Sequence, residues 1–299
     1  MLSGERDSSA PDESASRVLS KPHMFIHFSG CGGTSIRLFA KTIFGANRTQ
    51  TNLGCAPYQE LWSLALHEES RCSCTAVRDI LLGRDDHTRG RSLRFWSTEN
   101  PVLAPIDCHT YVDYWVALRQ PVDRALARIH KVYSRVEGSQ HLTPLYLLPS
   151  VSPEQAIVAL RNTTWMAGAH EFSGTATLND WYTRSLNGPA AYRLPLGAIG
   201  EKHLAIAQAW LFRAAVVVPT ANLSMLPRLL GVPDVMMKRM VSRGHSLYGS
   251  GGVPASPKLA ELKALLELRN KIDLRLYGYA SQLFESRVRL AARAPAVML

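Results

Sequence analysis

Residues 24–36 read Met24-Phe-Ile-His-Phe-Ser-Gly-Cys-Gly-Gly-Thr-Ser-Ile36, and the fold turns on this stretch. Met24 to Phe28 is an apolar run of strand length. Ser29-Gly-Cys-Gly-Gly33 must then be a tight loop, because glycine tolerates positive φ and close backbone approach. Beyond it Ile36, Phe39, Ala40 and Ile43 recur at helical spacing, with Thr34 or Ser35 placed to cap the helix. Strand, glycine loop and helix together bring free backbone N–H groups and the positive end of a helix dipole to one point. Phosphate or sulfate binds readily at such a point. The loop is neither G-x-x-x-x-G-K-[ST] nor G-x-G-x-x-G.

Working outward, the same plan recurs. Tyr111-Val-Asp-Tyr-Trp-Val-Ala-Leu118 is rich in aromatic and β-branched residues and reads as a strand. Pro121 suits a first helical turn, after which Val122, Ala125, Leu126, Ile129, Val132 and Val136 line one helix face. Ala214-Ala-Val-Val-Val218 is a third strand, followed by a short helix through Met225, Leu226, Leu229 and Leu230 that stops at Gly231. A helix is predicted over 153–166, a flexible link over 249–257, and a continuous helix from Lys258 to about Arg293. Strands alternating with helices give an α/β fold with a mainly parallel sheet and a long C-terminal helix. Residues 1–22 read as a disordered tail and 23–299 as a single domain.

The 299 residues carry a net charge of +10, which favours anionic partners such as nucleotides, acidic glycans, nucleic acid or membrane surfaces without choosing among them. No stretch approaches the roughly 20 apolar residues of a membrane span. The first 20 residues lack the apolar segment of a secretory signal, so the chain is soluble inside the cell or carries an anchor upstream. Five cysteines, at 31, 55, 72, 74 and 108, are an odd number and imply no complete disulfide framework. Cys72-Ser-Cys74 lacks the spacing of a zinc site, so buried thiols and no metal are expected.

Phe25-Ile-His-Phe-Ser-Gly-Cys-Gly-Gly-Thr-Ser-Ile36 resembles the first signature, F-I-H-I-P-K-T-G-G-T-S-L, of the carbohydrate sulfotransferases related to heparan sulfate 2-O- and 6-O-sulfotransferases. Val116-Ala-Leu-Arg-Gln-Pro-Val-Asp-Arg124 is similar to their second signature, L-R-D-P-V-x-R. Asn162–Gly168, Val216–Thr220 and Asp273–Tyr277 resemble later family segments, in the family's order. The resemblance implies a P-loop-like three-layer fold that uses PAPS (3′-phosphoadenosine 5′-phosphosulfate) to sulfate a hydroxyl or amine, in the first place on a carbohydrate, without a metal. It implies a Golgi lumen if an anchor precedes the chain, and the cytoplasm otherwise. Gly30, Cys31, Gly32, Gly33, Thr34 and Ser35 would cradle the phosphosulfate. Arg119 would fork onto the 3′-phosphate as guanidinium groups do, with Arg124 and Arg37 as further donor-binding candidates.

Two departures stand against full activity. The family's loop lysine falls at Gly30, and a second 3′-phosphate ligand, a serine eight residues after Arg119, is Ala127. A chain of the same fold that binds PAPS or its product without turnover is therefore the alternative. If Gly30 does not need positive φ, Gly30→Lys restores the cation and raises transfer. Arg37 could cover part of the lost charge, whereas Lys41 points away. The family's base, a histidine upstream of the second signature, is missing from Leu93–Glu99. That leaves Glu99, His109 and His27 as candidates. A basic nucleic-acid binder is the remaining reading, but the strands lack the interleaved aromatic and basic residues of single-strand binders.

Overall fold

The structure is a computed structural model, which describes residues 21–28, 30–51, 73–84, 92–98, 108–138, 153–161, 178–232 and 257–293. Its frame is a parallel sheet of five strands: β1 (His23–Ile26), β2 (Thr49–Thr51), β3 (Phe95–Thr98), β4 (Asp113–Leu118) and β5 (Val216–Pro219). They run in the order β2-β3-β1-β4-β5, with Phe25 beside Ser97 and Trp115, and Trp115 beside Val216. The helices are α1 (Gly33–Phe44), α2 (Cys74–Leu81), α3 (Pro121–Gly138), α4 (Pro153–Arg161), α5 (Trp181–Asn187), α6 (Pro189–Tyr192), α7 (Glu201–Arg213), α8 (Leu226–Leu230), α9 (Leu259–Arg269) and α10 (Lys271–Arg293).

Side chains alternate across a strand, so Tyr114 and Trp115 face opposite sides of the sheet. Trp115 meets Phe39 and Phe44 of α1, with centroids 6.4 and 6.2 Å away. Tyr114 meets Trp210 of α7 at 5.2 Å. Helices therefore cover both faces, which is the expected α/β layering with a parallel sheet. Both faces being buried is why β1, β4 and β5 read as mainly apolar runs rather than alternating ones. By contrast, β2 (Thr-Gln-Thr) and β3 (Phe-Trp-Ser-Thr) carry polar residues and do not read as strands from the sequence. His23 is buried in that packing and accepts the indole N–H of Trp115 at 3.1 Å. Burial and the nearby Arg94 lower its pKa to about 4. A smaller apolar cluster joins Val122, Leu126 and Ile129 of α3 to Ile157 and Leu160 of α4 and Leu262 and Leu266 of α9.

Several expectations are corrected. Cys74 and Cys108 form a disulfide rather than remaining thiols; Cys31 alone is a buried free thiol among the described residues. The C-terminal helical stretch is not continuous. It breaks at Asn270, whose side chain donates to the Leu266 and Leu178 carbonyls at 2.8 and 2.7 Å and accepts the Asp180 N–H at 3.1 Å. An asparagine that bonds the backbone in this way competes with helix continuation. The N-cap of α1 is Gly32, in left-handed conformation with no side-chain cap, so Thr34 and Ser35 lie inside the first turn. Ala214 ends α7, and the third predicted strand begins at Val216. Residues 1–20, the 249–256 link and 162–166 at the end of the predicted 153–166 helix lie outside the described residues.

Candidate functional site

Three strand ends meet at one edge of the sheet. The glycine loop follows β1, Arg119 follows β4, and Thr220 follows β5. From β1 the chain fills one side of the sheet with β2 and β3, then crosses to the other with β4 and β5. Open parallel sheets bind ligands beyond the strand C-termini where the order reverses in this way, so the loop and Arg119 flank that position.

The loop is glycine-rich for reasons the packing makes plain. Gly30 and Gly32 have φ of 83° and 74°, the left-handed region where a Cβ is strained. A Cβ on Gly33 would collide with the His27 imidazole. The first turn of α1 therefore comes against the end of β1, with its leading N–H groups at the loop. Thr34 and Arg37 are half-buried there and Ser35 is buried, while Lys41 is exposed near the far end of the helix.

A residue that sequence reasoning missed ties these parts together. Tyr182, buried at the start of α5, donates its hydroxyl to the Arg119 carbonyl (2.9 Å) and accepts the Arg119 N–H (3.2 Å). Its one proton goes to that carbonyl, so the Cys31 thiol, 3.1 Å away, donates to the same oxygen. Burial raises the pKa of both groups, that of the tyrosine well above its ordinary value. They stay protonated, and their hydrogen bonds clamp the loop to the residue beyond β4. Phe28, entering the loop, meets Trp181 and Tyr182 edge-on at 5.3 and 4.7 Å. Arg124 is 1% exposed, its guanidinium 4.3 Å from the Trp181 ring centroid. The Arg124 stem passes 3.9 Å from where a Gly30 side chain would begin, so a buried cation lies close to this loop.

Behind the clamp, two buried carboxylates cap each other's helices. Asp273, in the first turn of α10, accepts the N–H groups of Tyr182 and Thr183, each at 2.8 Å, and the Thr183 hydroxyl at 2.7 Å. Asp180, just before α5, accepts the N–H groups of Ile272 and Asp273, each at 3.0 Å. Each carboxylate thus sits at the positive end of the other's helix. Burial and the Asp273 charge raise the Asp180 pKa to about 7, and burial raises that of Asp273 too. Arg184, fully buried, donates to the Asn179, Ala191, Tyr192, Leu194 and Pro195 carbonyls and fixes the turn after α5.

Of the base candidates, His27 adjoins the loop but is 7% exposed and wedged against Gly33. His109 precedes β4 at the opposite edge of the sheet, packed on Tyr114 at 4.8 Å. Glu99 lies outside the described residues, as does the 162–168 segment. Ala127 is on α3, one turn beyond Arg124. Among the described residues no cluster of His, Cys, Asp and Glu is placed to hold a metal, and no helix is long and apolar enough to cross a membrane. Compared with protein-family models and with curated proteins, the chain matches none.

Proposed function

We propose that this chain binds PAPS and transfers its sulfuryl group to a hydroxyl or amine, on a carbohydrate in the first place. The observation that carries the reading is the single Tyr182 hydroxyl joining Cys31 of the glycine loop to the Arg119 backbone. It sets two anion-favouring elements side by side at the sheet's reversal point. In this reading the N–H groups of Gly33, Thr34 and Ser35 and the α1 dipole hold the 5′-phosphosulfate. Arg119 takes the 3′-phosphate, and Arg124 and Arg37 add positive charge around the loop. The acceptor oxygen or nitrogen attacks sulfur in line. The bond from sulfur to the bridging phosphate oxygen breaks as the new bond forms, PAP leaves carrying the negative charge, and the acceptor's proton passes to water.

Gly30 favours a second reading, a PAP-binding protein with little turnover. Its left-handed backbone disfavours the family's lysine at that position, so charge on the leaving oxygen must be met otherwise. Radiolabelled sulfate transfer from PAPS to a panel of glycans separates the two. Transfer supports the enzyme, whereas PAP binding without transfer to any acceptor supports the second reading. The Cys74–Cys108 disulfide favours an oxidising compartment, in keeping with the Golgi lumen that the family resemblance implies.

A further inference from the structure

PAP carries two phosphate groups on one ribose, so a site that grips both must hold its two binding elements within the narrow range of separations that the ribose allows. One element here is a glycine loop with two left-handed residues, and the other is the first residue beyond β4. Backbone pairing of β1 with β4 ends at Ile26 and Val116, short of both elements. Beyond that point Tyr182 makes the connection: its hydroxyl holds both the N–H and the carbonyl of Arg119 and receives the Cys31 thiol. The ring itself cannot drift. It packs edge-on against Phe28, and its backbone N–H is held by Asp273 from α10.

Resting on the reading of the site given above, we propose that Tyr182 is a positioning residue that sets the spacing between the 5′-phosphate and 3′-phosphate ends of the donor site. It touches neither phosphate. It acts through Arg119 on one side and the loop on the other. The prediction is specific to ligands that span both ends. Tyr182→Phe keeps the ring, its packing on Phe28 and its backbone bond to Asp273, and deletes only the bridging hydroxyl. A ligand held at one end is indifferent to that loss; a ligand held at both is not.

The test is calorimetric titration of the full chain with PAP and with AMP, which lacks the 3′-phosphate. Wild-type protein prefers PAP, and Tyr182→Phe narrows that preference about three- to tenfold, the worth of one hydrogen bond, through weaker PAP binding. A hydroxyl that merely stabilises the fold lowers the melting temperature and leaves the ratio of the two affinities unchanged. That result overturns the positioning role while leaving the donor site standing. Wild-type protein that binds PAP and AMP equally overturns the reading of the site and this inference with it. Should Tyr182→Phe fail to fold, Cys31→Ala cuts the bridge from the loop side and must narrow the same ratio; an unchanged ratio in that variant also refutes the role.

Discussion

At the residue scale, glycines that look alike in sequence do different work. Gly30 holds φ of 83°, so the condition under which Gly30→Lys would raise transfer is not met. The substitution forces a side chain into left-handed backbone at about 1–2 kcal/mol, and a lowered melting temperature is the expected result. Gly33→Ala should destabilise further, because the His27 ring occupies the space a methyl needs. Gly278, inside α10 with open space around it, is the control: Gly278→Ala should stabilise by about 0.5–1 kcal/mol. Thermal melts of the three variants check the ordering, and a stable Gly33→Ala would contradict the packing described. The loop's glycine character was legible because φ and close approach are local demands. Tyr182 was not, since its partners lie 151 and 63 residues away and no short-range pattern marks them.

At the element scale, the C-terminal helices were legible from their periodicity, but the break at Asn270 was not, because it depends on Leu178 and Asp180 across the fold. For the same reason α5, with its buried Arg184 and Thr183, offers no apolar stripe to read. Truncation before Lys258 removes α9 and α10 together with Asp273, the cap of α5, and should yield insoluble or protease-sensitive protein. A shortened chain that melts cooperatively at the full-length temperature would show those helices to be an appendage. The Asp180–Asp273 pair makes a pH prediction. An acid whose folded pKa is raised contributes stability while it holds its proton, and loses it as pH rises. Asp180→Asn keeps an oxygen to accept the Ile272 and Asp273 N–H groups but cannot ionise. The stability of wild type relative to Asp180→Asn should therefore fall as pH rises from about 4 to about 7 and level off above. A gap constant over that range would show that Asp180 is an ordinary ionised carboxylate.

At the scale of the whole molecule, strand and helix alternation sufficed for the α/β class, because β1, β4 and β5 announce themselves as apolar runs; β2 and β3, short and carrying Thr, Gln and Ser, did not. The pairing of Cys74 with Cys108 was hidden behind an odd cysteine count. It joins the start of α2 to the segment leading into β4, across 34 residues of chain. Reduction should cost about 2–4 kcal/mol and appear as a lower melting temperature in dithiothreitol; an unchanged melt would mean the bridge constrains little. The central claim is that the glycine loop and Arg119 form one nucleotide site. Calorimetric titration of PAP into wild-type protein and into Arg119→Ala tests it most directly. The account predicts saturable binding by wild type and a loss of more than tenfold in Arg119→Ala, the worth of a charge-assisted bond of about 1.5–3 kcal/mol, with the melting temperature preserved. No binding by wild type, or the same dissociation constant in both proteins, would contradict it.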